Sequence, residues 1–415
     1  MRRIAGNLLW MLTDRGLQIG VGIGVVAMLA RGLGPEGFAH FQYAQSVVLI
    51  ASAFALVCGA EVVVPRLVAN TSPVDQHRIL AQAFVLRLGG GVLGYVLMCV
   101  YLSLTSTIPD IWHAALWLGV AILLREPFGV VTAWMQAHTN YRPGTLISLA
   151  GLAIKATLIG VLFGIGSRDV SHYAAVFALE PVVLAALLLT FYLGRTSERH
   201  VAWRAAERRE LITAGALFWV SFILMMAARR VDQLVLQPSV SATTFGAYAA
   251  CMQILDNFTM LATILVAGIA PIHVYARASF AEAHRNIGRI ALGVGVLGLA
   301  GALAIAVLAP WIVLLLYGDA FAGTVTLLRI AAVAASLIFV DVSLTLLAVY
   351  LRKPGWVAIK WAAVLACTLA FDLAVVPQFG TSGAIGGYAL GNGVAVTIGL
   401  VFWWRHRPVQ KIAVA

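Results

Sequence analysis

The run Ile287–Leu316, IGRIALGVGVLGLAGALAIAVLAPWIVLLL, decides the class of fold. It is thirty residues long and carries a single charge, Arg289, at its third position. A helix needs about 20 apolar residues to cross the hydrocarbon core of a bilayer, and this run exceeds that. Working outward, comparable apolar runs fall near 8–30, 41–63, 79–104, 112–135, 144–166, 172–194, 211–236 and 245–270 before it. Three more follow, near 324–350, 356–376 and 383–404. Strands of a transmembrane barrel are shorter and alternate apolar with polar residues. These runs do neither, so they predict helices.

Composition agrees. The 415 residues are 61% hydrophobic and 11% charged, with a mean hydropathy of +0.94. Soluble domains sit near 45–50% apolar and about 25% charged. The gap excludes an ordinary soluble enzyme, a disordered chain and a nucleic-acid-binding domain. The expected class is an all-α membrane protein of about twelve transmembrane helices, with no room for a soluble domain. Cys58, Cys99, Cys251 and Cys367 all lie inside apolar runs. They form no CxxC and have no His at ligand spacing, so neither a metal nor a disulfide framework is expected, and no cofactor. The start, Met1-Arg2-Arg3, runs into an apolar stretch with no small-residue cleavage motif, and reads as an uncleaved first helix.

The net charge of +11 has a topological reading. Of the 28 Lys and Arg, eighteen fall in the two termini and every second connection, and two, Arg31 and Arg168, in the alternate ones. Basic residues accumulate on the cytoplasmic side, so both termini are expected there. The longest polar stretch, 195–210, carries five Arg and three Glu at mid-chain. It divides an N-terminal six-helix lobe, 1–194, from a C-terminal one, 211–415. An internal repeat supports the division. Phe38-x-x-Phe41 recurs as Phe245-x-x-Tyr248, Pro65 as Pro271, and Arg142-Pro143-Gly144 as Lys353-Pro354-Gly355. Six spans per half gives two parallel lobes related by a pseudo-twofold axis along the membrane normal, with the substrate path expected between them.

Charges inside spans are costly and mark function. Arg87, Arg125, Lys155, Glu180 and Asp256 lie near midspan, and Asp14 and Arg15 a turn or two inside the first helix. Arg229 and Asp232 have the i,i+3 spacing of an intrahelical pair. Arg329, Lys360, Glu61 and Asp372 lie near span ends, where snorkelling explains the basic side chains. Polar stripes pick out water-facing helices: Asn7, Asp14 and Gln18; Arg125, Thr132 and Gln136; Ser221, Arg229 and Asp232; Gln253, Asp256 and Asn257. Helix-to-helix hydrogen bonding would explain the same stripes. Arg15, Arg87, Arg125, Lys155 and Arg229 are therefore the candidate ligands of an anionic substrate. Asp14, Glu180, Asp232 and Asp256 are the candidate coupling or gating carboxylates for a proton or sodium ion. The absence of a Walker A sequence argues against ATP-driven transport within this chain.

Several stretches resemble a known family. Ala30-Arg31-Gly32-Leu33-Gly34-Pro35-Glu36-Gly37-Phe38, followed by Phe41, Tyr43, Ala44 and Ser46, is similar to the entry to the second span of polysaccharide biosynthesis proteins. These are the Wzx-type lipid-linked oligosaccharide flippases of the multidrug/oligosaccharidyl-lipid/polysaccharide (MOP) exporter superfamily. Arg230-x-Asp232-x-x-x-Leu236 with Phe245-Gly246-x-Tyr248-x-x-Cys251, Pro310 with Tyr317-Gly318-x-x-Phe321, and Phe379-Gly380-Thr381-Ser382-Gly383-Ala384 continue the resemblance over nearly the whole chain. It departs at Ala39, where the family has Gly, and the chain is short for the family. The lipid II flippase branch has fourteen spans, against twelve here.

The resemblance implies a two-lobed helical transporter of the bacterial inner membrane working by alternating access. The implied substrate is an oligosaccharide on undecaprenyl pyrophosphate, moved to the periplasmic leaflet for O-antigen, capsule or exopolysaccharide synthesis, with membrane lipids and polysaccharide polymerase machinery as partners. Two rivals remain. A cation-coupled multidrug exporter of the same superfamily would want an acidic, aromatic cavity. An integral membrane enzyme of glycan assembly would want a large outer loop rich in Arg and His, and the outer loops here are short.

Overall fold

The computed structural model describes residues 2–140, 142–196, 203–276 and 279–408, with side chains from residue 16 onward. All secondary structure among them is helical. In chain order the helices are α1 (Arg2–Ser52), α2 (Ala60–Ala69), α3 (Pro73–Thr105), α4 (Pro109–Phe128), α5 (Val130–Ala137), α6 (Arg142–Gly164), α7 (Val170–Leu193) and α8 (Ala205–Ala228). Then come α9 (Val231–Leu236), α10 (Ala242–Ala270), α11 (Phe280–Leu316), α12 (Thr324–Tyr350) and α13 (Pro354–Arg405). Among the described residues ten helices are long and apolar enough to cross a membrane. The expected runs fall mainly on helix, in order, with 41–63, 112–135 and 211–236 each interrupted by a short non-helical stretch.

The difference between ten and twelve lies in two long helices that are not straight rods. At 1.5 Å per residue, the 51 residues of α1 would extend about 76 Å, more than twice the hydrocarbon core. A break at Gly34 divides it, with φ 69° and ψ 177°. The 52-residue α13 is divided in the same way at Gly380, with φ 54° and ψ −130°. Side chains exclude these conformations, so glycine is required. Pro35 follows Gly34 as the first residue of the next segment, where its missing N–H breaks no helical bond.

Packing separates two compact units, Met1–Met226 and Ala227–Ala415. In the first, α4 packs on α1, α3 and α7, and α6 lies between α1 and α7. One core joins Val57, Val63 and Leu67 to Ile79, Leu80, Val131 and Met135. In the second, α12 packs against α10, α11 and α13, and α9 packs on α13. Its core gathers Ala262, Val266, Ile287, Val294, Phe339, Leu347 and Phe402.

This boundary differs from the 195–210 tract expected from the charge pattern. The physical reason is α8, which packs on the first unit: Trp219 Nε1 donates to the Ala53 carbonyl at 3.1 Å. The polar tract itself is anchored. Arg78 Nε meets Glu207 at 3.0 Å and Arg66 meets Glu210 at 2.9 Å. Residues 197–202 of the expected linker lie outside the described residues.

Because Gly34 occupies a conformation nearly closed to other residues, Gly34→Ala should cost about 1–3 kcal/mol. The check is thermal unfolding of the purified protein in detergent. An unchanged midpoint would show that α1 relaxes without the break.

Candidate functional site

Among the described residues, polar groups within the spans gather in each unit. In the first unit, α4–α7 and α1 surround a cleft of about 540 Å³. Gln18 contributes from α1, Arg125 and Glu126 from α4, Thr132 and Gln136 from α5, and Thr145 and Ser148 from α6. The predicted stripe Arg125, Thr132, Gln136 thus lines a single cleft, although α4 and α5 are separate helices. Gln18 Nε2 donates to Ser148 Oγ at 2.8 Å, joining α1 to α6.

Three charges meet beside this cleft, and of them Arg125 lines it. Lys155 Nζ lies 2.7 Å from Glu180 Oε2, and Arg125 Nη2 lies 3.8 Å from Glu180 Oε1. The two bases are not equivalent. The Lys155 side chain is 14% exposed and that of Arg125 60%. Lys155 also stands 5.1 Å from the Phe177 ring centroid. Lys155 and Glu180 form a closed pair, whereas the Arg125 guanidinium retains most of its donors for a ligand.

Arg87 has a different occupation from the one its depth suggests. It is 3% exposed. Its Nε and Nη2 donate to the Cys58 carbonyl at 2.9 and 2.7 Å, and Nη1 donates to the Glu126 carbonyl at 3.0 Å. Those carbonyls lie at the irregular turn between α1 and α2 and at the α4–α5 break beside Pro127. Although Arg87 borders the cleft, its guanidinium satisfies backbone freed by two interruptions. Such backbone cannot remain bare in a membrane.

The second unit gathers its charges where α8 gives way to α9. Arg230 Nη2 lies 2.6 Å from Asp256 Oδ2. Lys360 Nζ meets both Asp341 oxygens at 2.8 and 3.0 Å and Thr345 Oγ1 at 2.8 Å. Tyr248 donates its hydroxyl to Asp232. Arg229 stands over the Trp361 ring at 5.7 Å. A small cavity of about 40 Å³ touches Arg229, Asp232, Asp256, Asp341, Thr368 and Tyr388. Several acceptors here have no hydrogen-bond partner among the described residues: Asp232 Oδ1, Thr368 Oγ1 and both oxygens of Asp372.

Three sequence expectations are corrected. Arg229 and Asp232 do not pair, because the helix is interrupted between them at Arg230, with φ −131° and ψ −7°; the partner arginine is Arg230, and it selects Asp256. Lys360 does not snorkel. It is 5% exposed and its ammonium is fully coordinated by Asp341 and Thr345. Asp372 is 0% exposed, not placed at a wet end. The second segment of α13 covers it so closely that a Cβ at Gly387 would come within 1.8 Å of its Oδ1. Asp14 and Arg15 lie on α1, but their side chains lie outside the described residues. Lys360 and Asp372 stand out in the sequence as charges within spans. Their depth along a span gave no sign of which way each helix is turned.

No protein-family model matches the chain, and no curated protein matches it. Solved structures do match, over nearly the full length. One, described as the inward-facing conformation of a multidrug resistance MATE family transporter of the MOP superfamily, is 15% identical with a TM-score of 0.77, covering 96% of each chain. The MATE multidrug transporter DinF-BH in complex with R6G is 17% identical with a TM-score of 0.67, covering 96% of this chain and 95% of its own. An outward-facing MATE family transporter is 16% identical with a TM-score of 0.65, covering 94% of both. Likeness at this identity defines the fold. The chain is a multi-pass membrane protein with the fold of MATE transporters of the MOP superfamily.

The two bases beside Glu180 should separate in their effect on stability. Lys155→Ala leaves a buried carboxylate with only the longer Arg125 contact, and should destabilise by about 3 kcal/mol. Arg125→Ala removes an exposed, 3.8 Å partner and should cost less than about 1 kcal/mol. Unfolding midpoints in detergent test this; equal losses would mean that Arg125 holds Glu180 as firmly as Lys155 does.

Proposed function

We propose that this transporter moves an anionic, hydroxyl-rich amphiphile: an oligosaccharide on undecaprenyl pyrophosphate. It carries the head group from the cytoplasmic to the periplasmic leaflet of a bacterial inner membrane by alternating access, in the service of surface polysaccharide synthesis. The observation that carries this reading is Arg125, an exposed guanidinium on a cleft of about 540 Å³ whose polar lining also includes Arg87, Glu126 and the amides and hydroxyls of Gln18, Thr132, Gln136, Thr145 and Ser148. Guanidinium offers paired donors to phosphate oxygens, and more strongly so away from bulk water. Amides and hydroxyls supply both donors and acceptors for sugar hydroxyls. The sequence resemblance points to the same substrate class and to a polysaccharide polymerase downstream.

A second reading is cation-coupled multidrug export. The comparisons favour it over the first, since all three solved structures quoted are described as multidrug transporters. Within the chain its support lies in the second unit. There Asp232 and Asp372 have no cationic partner within salt-bridge distance among the described residues and would take up a proton or sodium ion.

Proteoliposomes containing the purified protein separate the two. Undecaprenyl-pyrophosphate-linked sugar is loaded in one leaflet and its arrival in the other is followed with an impermeant probe. Efflux of an organic cation under a proton gradient is measured in parallel. The expected result is flipping that falls at least tenfold in Arg125→Ala, with membrane insertion unchanged. Cation efflux without flipping would overturn the first reading in favour of the second. Flipping that Arg125→Ala leaves intact would remove the cleft from the substrate path.

A further inference from the structure

The second unit carries a surface feature that neither transport reading uses. Between α11, α12 and the last turns of α13 runs an apolar groove of about 390 Å³. Leu292, Val296 and Leu299 form its exposed α11 wall, Val340 and Leu344 its α12 wall, and Trp403 one end. Two glycines on α11 set its contour. A Cβ at Gly288 would come within 3.0 Å of Trp403, and one at Gly295 within 2.8 Å of Val340. From Gly288 to Leu299 the groove follows α11 for about 16 Å, at 1.5 Å per residue. That is about half of a 30 Å hydrocarbon core, the depth of one leaflet.

The Trp403 end is basic. Arg407 stands over the Trp403 ring at 5.4 Å. Arg289 adjoins Gly288, with Arg285 one turn away and Arg405 on α13, and all four arginines are exposed. The end is also rigid. His284 stacks on Trp403 with ring centroids 4.7 Å apart, His284 Nε2 lies 2.9 Å from the Trp403 carbonyl, and Trp403 Nε1 donates to the His284 carbonyl at 3.2 Å. The ends of α11 and α13 are thereby locked together, with Arg407 on the Trp403 ring at one end of the groove.

We propose that this is a binding site for an anionic phospholipid of the surrounding membrane, with its phosphate on Arg289 and Arg407 and one acyl chain along the Leu292–Leu299 face. The occupant follows from an apolar channel of one-leaflet length continuous with a cationic, aromatic mouth. The affinity for an anionic over a neutral lipid comes from the arginines, because lipid tails are as apolar as the groove and gain little by entering it. Each basic residue near a membrane surface favours an anionic lipid by a factor of about five, so two contribute more than tenfold.

The test is lipid retention by the full-length protein in detergent, read by native mass spectrometry. It is independent of transport and fails independently of it. Phosphatidylglycerol, phosphatidylcholine and undecaprenyl phosphate are offered in equal amounts. The expected result is preferential retention of phosphatidylglycerol, reduced more than tenfold in Arg289→Gln/Arg407→Gln. It should also be lost in Val296→Trp, which fills an exposed groove position without disturbing the core. If the double variant does not fold, Arg289→Gln and Val296→Trp carry the test separately. Equal retention of phosphatidylcholine, retention unchanged in the variants, or preferential retention of undecaprenyl phosphate would overturn the proposal.

Discussion

The structure depends on satisfying interrupted backbone in a medium without water. A continuous helix satisfies its own amides and carbonyls, and most of this chain does so. The interruptions are where side chains become obligatory. The turn after α1 and the break between α4 and α5 each release a carbonyl, and the single guanidinium of Arg87 reaches both. Charge-assisted bonds of this kind are stronger than those between neutral groups, and here they replace missing helical bonds. The α8–α9 interruption has the opposite effect. It separates Arg229 from Asp232 and frees Arg230 to reach Asp256.

The same medium sorts the charges by partner. Lys155 with Glu180, and Lys360 with Asp341, are short, shielded pairs. Each would leave a costly bare charge if one member were removed. Arg125 is different because it is exposed and only loosely engaged. A binding group has to be available as well as correctly charged, and the described side chains around the first unit's cleft give that combination to Arg125. In the second unit the distinction falls among acids. Asp256 and Asp341 have cationic partners, whereas Asp232 has a phenol and Asp372 is enclosed by glycine-rich helix.

Much of this was legible in the sequence. Hydropathy located the apolar helices, ten of them long enough to cross a membrane among the described residues, because the requirement for about 20 apolar residues is stringent. Arg125, Thr132 and Gln136, spaced on one helical face, all border the first unit's cleft. Arg87 was recognised as unusual, but its acceptors are backbone atoms distant in sequence, and no side-chain pattern announces a carbonyl. Lys360 resembles a snorkelling residue when depth is judged from span ends alone, because its partner Asp341 sits on another helix. The break at Arg230 was missed because the residues around it keep helical spacing and include no glycine. The breaks at Gly34 and Gly380 lay within quoted motifs. Their positive φ values follow from the residue type only once the direction of the next segment is known.

Arg87 also sets the mechanical character of the first unit. One planar group ties α3 to the turn beyond α1 and to the end of α4, so those three elements form a braced corner. Any relative movement among them would have to break charge-assisted bonds in a dry interior. At Gly34 the opposite holds, because a side chain there would meet nothing within 4 Å. Deformation should therefore concentrate at that uncrowded joint, with the Arg87 corner acting as the stiff arm that carries the cleft wall.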